Sequence, residues 1–330
     1  IAEGCDNHMG DIEVAKKMAK LAKIAGATAI KFQHHLPDEE MLPDVPMSDN
    51  FDVPLYDFLV KNSLSLKEHE ELMSYCEEIG ILYLCTPFSL KAAQELNELG
   101  ISAFKIGSGE MTDIPTLREI AKFGKPMIIS TGMSTFDEID RTYNELIKIN
   151  KSIILMNTLS EYPPIYEDLN LRVINKMQER YQGTIIGHSD HTPDIYTSFA
   201  AVTLGAKVIE KHVIIDKTTP GPDQKVSIDF MDLHFLVDGI RKIEKSLGNQ
   251  KKVNLKERKI REWAFRSIVS LKDIKKGEII KQDMIWSKRP GTGIPAFRMD
   301  EVIGQKALRN INKDSLLSLE DIDLQEKVSN

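Results

Sequence analysis

Cysteine is scarce in this chain: Cys5, Cys76 and Cys85 are spread through 330 residues. An odd number without C-x-x-C spacing argues against a disulfide framework and against a thiolate zinc site, and the expected setting is a reducing cytoplasm. Positive charge is in deficit too, with 43 Lys and Arg against 50 Asp and Glu, a formal charge of −7 and a pI near 5.7. That balance argues against a nucleic-acid partner, since such proteins carry a basic footprint for phosphates. No stretch approaches the roughly 20 apolar residues that span a bilayer, so no membrane role is expected. Repeats and low-complexity tracts are lacking. So is a G-x-S-x-G elbow, and neither Gly107-Ser108-Gly109 nor Pro290-Gly291-Thr292-Gly293 matches a Walker loop or opens a dinucleotide-binding βαβ unit.

What the chain does have is an alternation of short β-rich runs with amphipathic runs, repeated eight times, which is the pattern of parallel βα units. The expected strands are Ile1–Glu3, Ala29–Gln33, Leu82–Cys85, Ala103–Ile106, Met127–Ser130, Ile153–Met156, Thr184–Gly187 and Lys207–Lys211. Ser65 with Glu68 and Thr135 with Glu138 match capping boxes, and Gly80, Gly100, Gly124, Gly205 and Gly248 stand where helices should stop. A (β/α)8 barrel takes about 250 residues, which leaves room for one small domain. The expected division is a barrel over 1–247, a charged and solvated linker over 248–262, a β-rich domain over 263–323 and a tail over 324–330. The chain opens on Ile1 inside what reads as a strand, so it is expected to begin within a longer sequence.

In such a barrel the C-terminal strand ends form the active face. There the sequence gathers Glu3, Lys31, Gln33, Thr86, Lys105, Ser108, Glu110, Asn157, Ser189, His191, Glu210 and His212. An unpaired ammonium inside a barrel is costly, so Lys31 and Lys105 imply a bound anion; the alternative is that each snorkels to solvent or pairs with a rim glutamate. Ser189-Asp190-His191 and Glu210-Lys211-His212 end adjacent strands. Their imidazoles could converge on one divalent ion, each with a neighbouring carboxylate to orient it, and two nitrogen ligands would leave positions open for a Lewis acid's work. The other histidines, His8, His34, His35, His69, His188 and His234, read as structural or solvent-facing. Adjacent residues on one strand end cannot form a hydrolase triad, so Ser189-Asp190-His191 is not read as one.

These motifs resemble the sialic acid synthase family, which includes N-acetylneuraminate, legionaminate and pseudaminate synthases. The resemblance runs through Ile1-Ala2-Glu3, Asn7-His8, Lys31-Phe32-Gln33, Thr86-Pro87-Phe88, Lys105 to Glu110, Ser130-Thr131-Gly132-Met133, Glu161-Tyr162-Pro163, Ser189 to Thr192, Glu210-Lys211-His212, Pro220 to Asp223 and Lys288 to Gly293. It implies a (β/α)8 TIM barrel followed by an antifreeze-like (SAF) domain that crosses to a partner barrel in a domain-swapped homodimer. It further implies condensation of phosphoenolpyruvate with an N-acylated amino sugar. On this resemblance Lys31, Thr86, Lys105, Ser108, Ser160 and Ser189 would hold phosphoenolpyruvate, and His191 and His212 would hold Mn2+ or Mg2+. Gln33, Asn50, Tyr162 and Asp223 would meet the sugar, with Arg289 reaching in from the other subunit, and Glu3 and Glu110 would handle protons.

Asn157-Thr158-Leu159 and Ser160 depart from what many relatives carry after the sixth strand. Pro220-Gly221-Pro222-Asp223 fits the neuraminate and legionaminate branches better than the pseudaminate one. N-acetylmannosamine is the expected sugar, with 2,4-diacetamido-2,4,6-trideoxymannose as the alternative. A non-catalytic scaffold would leave the charged rim without a reason, and a synthase of seven- or eight-carbon sugar acids would be a plain barrel without the appended domain.

Overall fold

The computed structural model describes residues 1–46 and 53–323, and divides into two compact units, Ile1–Gly248 and Asn249–Asn330. Asn50 and the 324–330 tail fall outside the described residues. In the first unit eight parallel strands close a barrel: β1 Ala2–Glu3, β2 Ala29–His34, β3 Leu82–Pro87, β4 Phe104–Ile106, β5 Met127–Ser130, β6 Ile153–Thr158, β7 Ile185–Asp190 and β8 Ile209–His212. The TIM-barrel expectation is therefore met.

The helices between strands form for reasons visible in the sequence. Ile12–Ala25 opens on Asp11, whose carboxylate accepts from the Glu13 and Val14 amides, and it buries Ala15, Met18, Ala19, Ala22 and Ala25 on one stripe. Both expected capping boxes form, at the starts of Leu66–Ile79 and Phe136–Leu146. Gly80 ends the first of these at φ 72°, a left-handed conformation that costs glycine little. The core packs these helices on the strands. Each fully buried side chain such as Leu72 or Leu96 contributes about 1.5–3 kcal/mol relative to exposure.

Strand ends differ from the sequence reading in a way that matters for function. β2, β3, β6, β7 and β8 continue to His34, Pro87, Thr158, Asp190 and His212, beyond the expected ends at Gln33, Cys85, Met156, Gly187 and Lys211. Polar residues there lie beyond the expected strand ends, yet they pair in the ladder, as Thr86 does with Gln33 and Thr158 with Ser189. Rim side chains are therefore held by the barrel itself. Register aligns Glu3 with Lys31 on one side and with His212 on the other.

The second unit carries an antiparallel pair, β9 Ser267–Ser270 and β10 Ile285–Lys288, over a core that includes Ile268, Ile280, Ile285, Ile294, Val302 and Leu317. The stretch expected as plain linker contains a helix, Leu255–Ala264, started by an Asn254–Glu257 capping box and exposed along most of its length. Among the described residues no helix is long and apolar enough to cross a membrane.

Candidate active site

At the C-terminal end of the barrel lies a cavity of about 500 Å³, within the range of small-molecule sites. Every barrel residue expected to bind substrate or metal or to handle protons borders it except Asn50, which is not described; Asn157, expected on this face, does not line it and instead lies 3.4 Å from His188 Nδ1. Its floor is ionic. Lys31 and Lys105 are each 3% exposed, which rules out snorkelling. Lys31 Nζ stands 2.6 Å from Glu3 Oε2 and 3.7 Å from Glu210 Oε1, and donates to Thr86 Oγ1 at 3.1 Å. Lys105 Nζ donates to Ser130 Oγ at 2.7 Å and lies 3.4 Å from Glu210 Oε1. Rim glutamates thus pair both lysines, and the anion cannot be inferred from unpaired charge alone.

The balance of these charges is uneven. Burial pushes the Glu3 carboxyl up, opposed by Lys31 and reinforced by Glu210. Burial would do the same to Glu210, but Lys105 and Lys31 together outweigh it and hold this carboxyl low. Burial pulls the Lys105 ammonium down despite Glu210, whereas Glu210 and Glu3 overcome burial and hold Lys31 above its usual value. A proton on Glu3 would leave two ammonium groups facing one carboxylate, a net positive floor suited to an anion.

Beside this floor stands a cradle of hydroxyls. Ser108 Oγ accepts from the Gly132 amide at 3.1 Å, and Ser189 Oγ donates to Glu210 Oε1 at 3.1 Å. A Cβ on Gly132 would collide with the hydroxyls of Ser160 and Ser108, so the absence of a side chain there opens the cradle. Glu110 packs against Gly107 in the same manner. Its Oε2 is buried without a hydrogen-bond partner, and burial pushes the carboxyl up.

The two imidazoles do converge. His191 and His212 lie 5.2 Å apart between ring centroids, and Tyr162 stacks on His191 at 4.4 Å. The orienting partners differ from those expected. Alternation along β7 turns Asp190 away from Ser189 and His191. Asp190 instead accepts from Thr197 and Ser198, both at 2.6 Å, and pairs with Lys211 at 3.2 Å. His191 is oriented by the Leu159 carbonyl, 2.7 Å from Nδ1; that nitrogen must carry the hydrogen, so the Nε2 lone pair faces the cavity, where it accepts from the Tyr162 hydroxyl at 3.4 Å. Burial holds His191 down to about 4, so the ring is neutral and ligand-competent at physiological pH. The carboxylate beside His212 is Asp223, with Oδ1 3.8 Å from Nδ1, an imidazole nitrogen that is buried without a hydrogen-bond partner. Cys5 completes the group: its Sγ donates to Asp223 Oδ2 at 2.8 Å, and ligand atoms of Cys5, His212 and Asp223 all lie within 4.8 Å of one another. Inward lone pairs, an orphaned nitrogen and a thiol–imidazole–carboxylate set fit a divalent ion.

Two groups of residues escaped the sequence reading. Cys5 lacked any partner in sequence, and its contact with Asp223 spans 218 residues. His35, read as structural, borders the cavity, where its ring contacts Glu40 and Gln33 at 2.9 Å each and stacks on Phe88 at 4.1 Å. The clue was its position just past Gln33. Gln33 Nε2 also donates to Glu3 Oε1 at 3.2 Å. Arg289 is exposed in the second unit, where its guanidinium lies over Trp263 at 5.4 Å and donates to the Ala264 carbonyl.

Residues 18–252 match the NeuB family and residues 265–323 match the SAF domain. An N,N'-diacetyllegionaminic acid synthase of Campylobacter jejuni is 38% identical, over 96% of this chain and 98% of its own length. Human N-acetylneuraminate-9-phosphate synthase is 33% identical, over 98% of this chain and 92% of its own. Among solved structures, an N-acetylneuraminic acid synthetase from Leptospira borgpetersenii in complex with citrate superposes with a TM-score of 0.72 at 31% identity, covering 78% of this chain and 88% of that one.

Proposed function

We propose that this chain, which belongs to the NeuB family and is a sugar-acid synthase of the transferase type, condenses phosphoenolpyruvate with an N-acylated amino sugar and water to a nine-carbon sugar acid and phosphate. The observation that carries the reading is the juxtaposition in one cavity of a two-lysine floor, a hydroxyl cradle and an inward pair of neutral imidazoles.

Lys31, Lys105, Thr86 and the hydroxyls of Ser108, Ser160 and Ser189 would hold the phosphate and carboxylate oxygens of phosphoenolpyruvate, since buried ammonium and hydroxyl donors make strong hydrogen bonds to anions. A divalent ion at His191 and His212, Mn2+ or Mg2+ on the family resemblance, would supply Lewis acidity at the aldehyde oxygen of the open-chain sugar. Gln33, Tyr162 and Asp223, which all border the cavity, would meet the sugar. Carbon 3 of the enol attacks the aldehyde carbon, and the new hydroxyl takes a proton. Water adds at carbon 2, giving up a proton, and phosphate departs with cleavage of the C–O bond. Glu3 and Glu110, both buried carboxyls held above their ordinary range, are the groups placed to move these protons.

N-acetylmannosamine is the first reading of the sugar, and Pro220-Gly221-Pro222-Asp223 fits the neuraminate and legionaminate branches alike. The match to a legionaminic acid synthase over nearly the whole chain supports the second reading, 2,4-diacetamido-2,4,6-trideoxymannose. One hydroxyl exchanged for an acylamino group shifts binding by only a few kcal/mol, within reach of one or two side chains. Phosphate release from phosphoenolpyruvate, followed with each sugar and with or without a chelator, tests the reading. Chelator-sensitive release with either sugar supports it and names the sugar; release with neither, or release that ignores the chelator, overturns it.

A further inference from the structure

Cys5 does not behave as a packing residue. Cys76 and Cys85 sit in the apolar core, where a thiol acts as a small hydrophobe. Cys5, only 5% exposed, instead directs Sγ at the Asp223 carboxylate, 2.8 Å away. Its backbone is held at φ 46°, a left-handed conformation that is costly for a residue with a Cβ and persists only where the surroundings enforce it. A second, independent observation points to a ligand here. His212 is 5% exposed, and its Nδ1 has no hydrogen-bond partner although it lies in the same cluster, 3.8 Å from Asp223 Oδ1. A buried imidazole nitrogen left unpaired is costly unless something absent from the polypeptide satisfies it. Sulfur, nitrogen and carboxylate oxygen within 4.8 Å of one another make a mixed donor set that no single motif in the sequence spells out.

We propose that Cys5 is a thiolate ligand to the divalent ion of this site, beside His212 and Asp223, and that it turns the site's preference from Mg2+ toward thiophilic ions such as Zn2+ and Co2+. The proposal rests on the metal-assisted reading given above. As the S–metal bond forms, the thiol proton leaves to solvent, as metal binding to cysteine requires. Soft sulfur ligands select against Mg2+, which prefers oxygen and keeps its waters.

The test is cobalt spectroscopy on the full chain. Native protein titrated with Co2+ should develop a near-ultraviolet sulfur-to-cobalt charge-transfer band together with visible d–d bands. In Cys5→Ser, and in Cys5→Gly, whose backbone suits the positive φ, the charge-transfer band should vanish while the d–d bands remain. Affinity for Co2+ and Zn2+ should fall at least about tenfold, the lower end of what losing even an outer-shell partner costs. Affinity for Mg2+ should change less than about twofold, because Mg2+ draws little from sulfur. Native protein that binds Co2+ without the charge-transfer band, or a band that survives in both variants, overturns the assignment of Cys5 while leaving the metal-assisted reaction standing. Failure of native protein to bind Co2+ at all overturns both.

Discussion

Glu3 and Lys31 are register partners on β1 and β2, and their side chains close a 2.6 Å ion pair inside the barrel. Lys31 faces two carboxylates, Glu3 and Glu210, whereas Lys105 faces one carboxylate and the Ser130 hydroxyl. The two lysines should therefore answer mutation differently. Lys31→Met strands a buried carboxylate and should cost about 3–5 kcal/mol in stability. Lys105→Met should cost less stability and raise KM for phosphoenolpyruvate about 10- to 100-fold, the worth of one hydrogen bond between charged groups. Urea unfolding and steady-state kinetics on both variants check this; equal stability losses would contradict it.

Gly132→Ala adds one carbon to the hydroxyl cradle, where it meets Ser108 and Ser160. Binding of phosphoenolpyruvate should weaken by about 1–3 kcal/mol, the usual cost of overpacking, with KM for the sugar nearly unchanged. Titration calorimetry with phosphoenolpyruvate alone reads this directly.

Several buried histidines fix the sign of the pH dependence of stability. Burial lowers His69, His188 and His34 below the ordinary value of 6.5. The folded state keeps these rings neutral while the unfolded chain takes up protons below that pH, so stability present above pH 6.5 is lost as pH falls. Thermal unfolding between pH 7.5 and pH 5 should show a steady decline. His69→Gln, which keeps a partner for the Tyr83 hydroxyl now 2.7 Å from His69, should lower stability at neutral pH but flatten the decline. A slope unchanged by that variant would remove His69 from the account.

A shared site across a domain-swapped homodimer remains our proposal for Arg289, and complementation tests it. Assayed at phosphoenolpyruvate well below the raised KM, Lys105→Ala and Arg289→Ala should each be nearly inactive. Dissociated and reassembled together, they should recover about a quarter of native activity, because half of the dimers are mixed and each of those holds one intact site. No recovery, in mixtures shown to contain mixed dimers, would contradict Arg289 acting across subunits.

How much of this could be read beforehand follows physical lines. The barrel was legible because hydrophobic alternation and helix caps are local signals, and rim polarity identified the active face. Ladder pairing of polar residues at the ends of β6 and β7 was not, since pairing depends on a neighbouring strand. Adjacency misled for Asp190, which pleating turns away from His191 toward Thr197 and Ser198. Cys5 was hidden because its partners, His212 and Asp223, arrive from the far end of the barrel sequence. The helix Leu255–Ala264 was masked by its charge, although Asn254 and Glu257 already spelled its cap.

In the proposed condensation, phosphate leaves phosphoenolpyruvate by C–O rather than P–O cleavage after carbon 3 has joined the sugar. Phosphoenolpyruvate carrying 18O in its bridging position, turned over with the accepted amino sugar, tests this directly by mass spectrometry of both products. The expected result is the label wholly in phosphate and a product carbonyl oxygen drawn from water. Label retained in the sugar acid would contradict it.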